Sequence, residues 1–126
     1  MATRAYRNNN PGNIRHHSRS GDVEVTYPVV LQFQGLDDGS NYAKFPTRAK
    51  GCAALATLLA TYYGNSTVRE CINKYAPSDD NNDPDKYIKD ICNWAIVQPT
   101  AVIGDLEPNK FFDLCKAISR FEGWKA

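Results

Sequence analysis

The stretch that most limits the fold of this chain is residues 7–15, with the sequence RNNNPGNIR. Its four asparagines, proline and glycine exclude the interior of a helix or strand, because asparagine competes for backbone hydrogen bonds and proline and glycine break regular structure. The stretch is therefore predicted to be a shaped loop. Each asparagine amide has two donors and an acceptor, so such a loop can bind sugar hydroxyl or acetamido groups, or hold a catalytic loop.

Length and composition favour one soluble globular domain, residues 1–126, since 42% of the residues are hydrophobic and 23% are charged. The net charge of +1 and the lack of a recognition-helix pattern make nucleic acid an unexpected partner. The N-terminus does not resemble a secretory signal, and no apolar run is long enough to span a membrane. We therefore expect synthesis in the cytoplasm and no membrane insertion.

Cysteine and histidine give no pattern typical of a metal site. The cysteines form no Cys-x-x-Cys pair and fall on predicted apolar helix faces, so they are expected to be buried thiols, with disulfides as the alternative. His16 and His17 are expected to be exposed, because no third ligand lies near them in sequence. No metal and no cofactor are predicted. The four cysteines are Cys52, Cys71, Cys92 and Cys115.

A small β-hairpin is predicted in the first third of the chain. Residues 23–27 alternate apolar and polar side chains, and residues 29–33 are rich in β-branched residues. The second arm is predicted at residues 42–45, and residues 35–40 contain the glycine, aspartate and serine that favour a reversal. Residues 16–21 are expected to be surface loop.

The remainder is predicted to be helical, which makes the fold class mainly helical α+β. An acidic loop is expected at residues 78–83, after a helix that Pro77 ends. The start signals are Thr47 as N-cap of a helix reaching Tyr63, a capping box of Thr67 and Glu70, Asp83 with Pro84, and Pro108.

Glu122 lies on the apolar stripe of the last predicted helix, four residues after Ile118 and seven after Cys115. Burial and the negative end of the helix dipole both favour the protonated form of a carboxyl group there. A protonated carboxyl is what a general acid needs to donate to a glycosidic oxygen. The alternative is that the helix ends before Glu122, with Gly123 following it, and leaves Glu122 in water.

Residues 7–15 resemble the opening of a family of phage virion, endolysin-like and secretion-associated proteins. Later segments match the order of motifs in that family, so the resemblance covers most of the chain. It is weaker between residues 15 and 34, where a Trp-x-Gly is replaced by Phe33-Gln34-Gly35. The matching segments are residues 42–47 (YAKFPT), the alanine-rich helix of residues 51–63, residues 74–77 (KYAP) with Tyr87, and residues 120–124 (RFEGW).

The same motifs are similar, in another order, to those of peptidoglycan glucosaminidases and lysozyme-like enzymes. Placing residues 121–124 before residues 8–14 restores the order of those enzymes. The hypothesis is therefore a circularly permuted lysozyme-like domain, since chain ends often lie close together. It requires that residues 8–13 contact the segment around Glu122.

This resemblance implies cleavage of peptidoglycan glycan strands, of the muramidase, lytic transglycosylase or glucosaminidase type, with Glu122 as general acid. Tyr75 and Tyr87 would face the cleft, where they would position the sugar or stabilise an oxocarbenium-like transition state. Either a second carboxylate lies about 5–9.5 Å away, or Glu122 acts alone and a substrate hydroxyl attacks. Candidates for the second carboxylate are Asp38, Asp37 and Glu24, and the predicted substrate-binding residues are Asn8, Asn9, Asn10, Asn13, Arg15 and Trp124.

Peptidoglycan is the expected partner, together with an immunity or inhibitor protein or a secretion or virion carrier. The enzyme would act in the bacterial periplasm or cell wall as a phage lysin, virion enzyme or secreted antibacterial effector. Delivery would depend on a holin, a virion or a secretion system. The alternative function is a non-catalytic glycan-binding or virion structural domain.

Overall fold

The computed structural model describes residues 2–76 and 83–124. It is mainly helical α+β, as predicted, and its described part contains six α-helices and two short antiparallel strand pairs. The chain divides into two compact units, Met1–Thr57 with Glu122–Ala126, and Leu58–Phe121. A single domain over residues 1–126 stays a prediction. No helix of the described part is both long and apolar enough to cross a membrane.

The first unit contains the four strands found in residues 2–76 and 83–124. The helix α1 is a single turn that Thr3 caps by accepting a hydrogen bond from the Tyr6 backbone N–H. In the β1–β2 hairpin His17 pairs with Thr26, and in the second pair Asp37 opposes Ala43. The elements are α1 (Arg4–Arg7), β1 (His17–Ser20), β2 (Val23–Thr26), α2 (Pro28–Gln32), β3 (Leu36–Asp37), β4 (Ala43–Lys44) and the start of α3 (Arg48–Tyr62).

Three predictions for these strands are wrong. Residues 16–21 were expected to be loop, but β1 pairs with β2 across a turn at Gly21, whose φ of 61° suits glycine. Residues 29–33 are mostly helical because Pro28 occupies the first turn of α2 and has no N–H to lose there. The predicted second arm is β4, but its partner is β3, which lies inside the expected connecting loop.

Helix α3 lies close to the asparagine-rich loop at Gly51. A Cβ atom at this position would lie 1.7 Å from the Asn9 carbonyl oxygen and 3.1 Å from Pro11 Cδ. Only glycine allows the helix and the loop backbone to approach so closely. The buried apolar side chains of this unit are Ala5, Ile14, Val29, Val30, Ala43, Phe45, Ala54 and Leu55.

The second unit is helical, and its starts are as predicted. The capping box of Thr67 and Glu70 is complete, and Asp83 caps α5 with Pro84 in its first turn. The expected stop at Pro77 and most of the acidic loop, residues 78–82, lie outside the described residues. The elements are the rest of α3, α4 (Val68–Tyr75), α5 (Pro84–Ala95), a 3₁₀ turn (Ile103–Asp105) and α6 (Pro108–Phe121).

No disulfide joins the four cysteines, all of which lie in the described part of the chain, and two of them are buried as predicted. Cys71 and Cys92 lie in the core, whereas Cys115 is half-buried. Burial raises the pKa of Cys71 to about 12. Cys52 was expected to be buried but is exposed, because it lies on the outer side of α3.

Candidate functional site

Asn10 is the centre of the asparagine-rich loop. It is fully buried, and its amide donates to the backbone carbonyls of Ile14, at 2.9 Å, and Ala43, at 2.8 Å. Its Oδ1 atom accepts a hydrogen bond from the Ile14 N–H at 2.9 Å. The direct sugar contact predicted for Asn10 does not fit this burial, since its amide is occupied by the backbone. Its role in the structure is to hold residues 10–14 against β4.

Asn8 and Asn9 also bond within the first unit. The Asn8 amide donates to Asp38 Oδ2 at 2.9 Å, and the Asn9 amide donates to the Phe45 carbonyl at 3.0 Å. Asn9 has φ of 51°, a left-handed conformation that asparagine tolerates better than most residues. Their predicted sugar contacts are not tested by these bonds, but both side chains clearly shape the loop.

The two ends of the chain meet at Asn13. Its amide Nδ2 donates to Glu122 Oε1 at 3.2 Å, so the contact required between residues 8–13 and Glu122 is present. Thr3 secures the same turn, because its hydroxyl donates to the Gly123 carbonyl at 2.8 Å. Sequence patterns gave no sign of this role for Thr3. The circular permutation itself stays a prediction.

Glu122 does not continue the core stripe of α6, which ends at Phe121. Gly123 has φ of 91°, so the alternative with a glycine-terminated helix is the correct one. Glu122 is nevertheless half-buried rather than left in open water. The turn thus removes it from the helix and directs its carboxyl group to Asn13.

The Asn13 amide also offers an acceptor beside Glu122. Its Oδ1 atom is buried and has no hydrogen-bond partner in the described part of the chain. A buried amide oxygen that lacks a partner costs free energy, and a bound hydroxyl or amide group would relieve this cost. Because this oxygen is shielded from solvent, a ligand would reach it only after the Asn13 side chain or its surroundings move.

Arg15 and Trp124, two further predicted binding residues, both contact aromatic rings of the first unit. The Arg15 guanidinium lies 4.6 Å from the centre of the Tyr42 ring, and Arg4 lies 4.0 Å from the same ring. Trp124 is half-buried, with its ring centre 5.6 Å from that of Tyr6. These contacts give both side chains defined positions, while their binding role stays a prediction.

Asp38 is the candidate carboxylate with the clearest electrostatic setting. Partial burial disfavours its ionised form, but hydrogen bonds from Asn8 and from two backbone N–H groups, and the charge of Arg4, outweigh this effect. The pKa of Asp38 is therefore lowered from its ordinary value of 3.8. Asp38 lines a polar groove of about 500 Å³ together with Arg4, Arg7 and Lys44.

Asp37 and Glu24, the other two carboxylate candidates, lie beside the histidine pair. Asp37 Oδ2 is 3.6 Å from His17 Nδ1, and Glu24 Oε1 is 2.9 Å from His17 Nε2. His16 and His17 are only partly exposed, contrary to expectation. This cluster was missed because Asp37 is distant in sequence, although the paired histidines were a visible signal.

Tyr75 and Tyr87 belong to the second unit. Tyr87 has no exposed surface and stacks on Phe121 with ring centres 3.8 Å apart, as a core aromatic does. The predicted cleft-facing role does not fit this burial. Tyr75 is half-buried at the end of α4, so its predicted role stays open to test.

Comparison with known proteins shows sequence similarity to a bacteriophage protein. No protein-family model matches it. It is 34% identical over 98 residues to Protein P5 of Pseudoalteromonas phage PM2, a match that covers 73% of this chain. The matched residues make up 55% of Protein P5, so the chain spans about half the length of this curated relative. The chain is thus similar to a phage protein whose name states no activity.

Proposed function

We propose that this chain cleaves the glycan strands of peptidoglycan, with Glu122 as the general acid. The observation that carries the proposal is the hydrogen bond from Asn13 to Glu122, which joins the two motifs of the family resemblance. A half-buried carboxyl group held in one position beside a polar loop can be placed within hydrogen-bond reach of a glycosidic oxygen, which is the geometric requirement for a general acid.

The chemistry needs only one proton transfer from the protein. A protonated Glu122 has a carbonyl oxygen that accepts from Asn13 and a hydroxyl that donates to the glycosidic oxygen. As the bond between the anomeric carbon and this oxygen breaks, positive charge develops on the sugar. The anomeric carbon is then attacked by water in a hydrolase, or by a hydroxyl of the same sugar in a lytic transglycosylase. In both cases the attacking O–H group releases a proton, which returns to the Glu122 carboxylate.

Asp38 is the best candidate for a second carboxylate if water is the nucleophile. Its lowered pKa keeps it ionised at neutral pH, which suits a base or a group that stabilises positive charge. The groove beside it carries both cationic and anionic side chains, which can hydrogen-bond sugar hydroxyl groups and the carboxyl groups of peptidoglycan.

Similarity to a phage protein supports an origin in phage lysis or virion carriage over a secreted antibacterial effector. In either case the substrate lies in the periplasm or cell wall, which the chain would reach through a holin, within a virion or by a secretion system. A carrier or an inhibitor protein is then the expected protein partner.

The first experiment is incubation of the purified chain with Gram-negative peptidoglycan, followed by mass spectrometry of the soluble fraction. Cleavage releases muropeptides, and products lighter by one water identify the anhydro sugars of a lytic transglycosylase. Sedimentation of the chain with intact peptidoglycan, without release, would replace cleavage by glycan binding. The internal bonds of Asn8, Asn9 and Asn10 make the loop primarily structural, so they favour a virion structural domain if neither cleavage nor glycan binding is found.

A second experiment tests the contact at Asn13. Asn13→Ala removes both the donor to Glu122 and the unpartnered Oδ1, so we expect a lower rate of muropeptide release. Asn65→Ala, at an exposed position, is the control. Equal rates for Asn13→Ala and the wild type would show that this amide does not serve catalysis.

A further inference from the structure

His16 and His17 direct their rings to the same point, which consecutive strand residues do not normally do. The cause is a bend at His16, directly before β1 begins at His17. The two Nδ1 atoms lie 2.9 Å apart, and the rings meet edge to face with an interplanar angle of 85°. One Nδ1 donates to the other in this contact, so an ion that binds both nitrogens would replace the hydrogen bond and its proton.

Asp37 adds a carboxylate oxygen to this pair. Its Oδ2 atom is 3.6 Å from His17 Nδ1 and 3.9 Å from His16 Nδ1. Its Oδ1 atom accepts from the backbone N–H groups of Gly39, at 2.9 Å, and Asn41, at 3.1 Å. The turn after β3 thus fixes the carboxylate with Oδ2 directed to the histidines.

These separations resemble those between the ligands of one metal ion. With zinc–nitrogen and zinc–oxygen bonds of about 2.0 Å and a tetrahedral angle, neighbouring ligand atoms lie about 3.3 Å apart. The three observed separations fall on both sides of this value, from 2.9 to 3.9 Å. Small side-chain rotations would bring all three atoms to bonding distance of one ion.

Glu24 and Asn41 hold His17 in position by hydrogen bonds, as residues around a metal site hold its ligands. His17 Nε2 lies 2.9 Å from Glu24 Oε1, while Arg19 donates to Glu24 Oε2 at 3.2 Å. A histidine whose second ring nitrogen donates to a carboxylate is typical of metal ligands, because this bond fixes the tautomer and ring orientation. The Asn41 side chain bonds both backbone groups of His17. Its Oδ1 accepts from the His17 N–H and its Nδ2 donates to the His17 carbonyl, each at 3.0 Å.

We propose that His16 Nδ1, His17 Nδ1 and Asp37 Oδ2 bind one divalent first-row transition-metal ion of the zinc type. Nitrogen with carboxylate oxygen is a ligand set for such ions, and solvent completes the coordination. The ion joins the β1–β2 hairpin to the turn after β3. Its binding is independent of the proposed glycan cleavage, although it would occupy Asp37 and leave Asp38 as the second carboxylate.

The test is zinc titration of the full chain, followed by NMR of the histidine rings. The sequence has two histidines, so both ring signals can be assigned. Cys52→Ser serves as the background, because Cys52 is exposed and a thiolate can itself bind zinc. One equivalent of zinc is expected to shift both ring signals. Unchanged ring signals at one equivalent would overturn the proposal.

Substitutions separate coordination from simple charge attraction. Glu24→Gln is expected to weaken zinc binding about 10- to 100-fold, as is usual for residues that orient a ligand. Asp37→Asn should weaken it further while retaining the Oδ1 acceptor of the turn. Asp22→Asn, in the exposed turn between β1 and β2, removes the same charge and should leave the dissociation constant unchanged. Equal weakening by Asp22→Asn and Asp37→Asn would contradict direct coordination.

Discussion

Asn10→Ala is expected to release the loop that brings Asn13 to Glu122. The buried amide makes three hydrogen bonds, two to Ile14 and one to Ala43. Alanine fills part of the space but leaves one N–H and two carbonyl groups without this partner. Because these groups are buried in the loop and β4, water reaches them only if the loop moves.

The magnitude follows from the number of bonds. A buried intramolecular hydrogen bond contributes about 1 kcal/mol net, so the loss of three lowers the free energy of unfolding by about 3 kcal/mol. Domains of this size are stable by about 5–15 kcal/mol, so the variant should still fold but unfold at a clearly lower urea concentration.

The assay is urea unfolding monitored by fluorescence. Of the two tryptophans in the sequence, Trp124 belongs to the same unit as Asn10, so a Trp94→Phe background makes fluorescence report on that unit. Asn65→Ala at an exposed position is the control and should change stability by less than about 0.5 kcal/mol. A loss below about 1 kcal/mol for Asn10→Ala would refute the role given to its amide.

Three further predictions concern packing, pH and thiol reactivity. Gly51→Ala should lower the free energy of unfolding by about 1–3 kcal/mol despite alanine's higher helix propensity, because the new Cβ would overlap the Asn9 carbonyl. A free energy of unfolding equal to that of the wild type would show that the loop can move away without cost. The pKa of Asp38 is lowered from 3.8 on folding, so its stabilising effect is complete above that value and is lost as the pH falls through the folded pKa. The stability difference between wild type and Asp38→Asn should therefore be constant above 3.8 and shrink as the pH is lowered below it, and a difference that stays constant below 3.8 would contradict this prediction. In the native protein at pH 8 a thiol reagent should modify exposed Cys52 quickly and Cys71, with a pKa of about 12, slowly; equal rates would contradict the burial.

The helices of the second unit could be predicted because their start signals are local. The capping box at Thr67 and the Asp83-Pro84 start act through residues within one turn, so sequence alone contains the whole interaction. The same principle explains the error at residues 29–33. There the β-branched residues Val29 and Val30 favour a strand, but Pro28 in the first turn starts a helix.

Strand pairing was harder to predict because it depends on partners elsewhere in the chain. Three of the four residues of β1 are exposed and all four are polar, so the strand shows no alternation of apolar and polar side chains. Strands β3 and β4 have only two residues each, which is too short for any periodic signal. Their register follows from the turn that Asp37 and Asp38 organise.

The candidate site likewise contains one contact that sequence motifs predict and others that depend on how distant segments come together. The contact of Asn13 with Glu122 was predictable because both residues stand in recognisable motifs, although they are at opposite ends of the chain. The burial of Asn10 and the convergence of His16, His17 and Asp37 were not predictable, because each depends on how β4 and the turn after β3 approach residues 10–17.

The most direct measurement of the central claim compares Glu122→Gln with the wild type in the rate of muropeptide release. Glutamine retains an acceptor for the Asn13 amide but cannot donate an acid proton to the glycosidic oxygen. Glu107→Gln, at an exposed position before α6, is the matched control. The account predicts a loss of about 100- to 10,000-fold for Glu122→Gln with normal folding and unchanged activity for Glu107→Gln. Activity of Glu122→Gln equal to that of the wild type would contradict it.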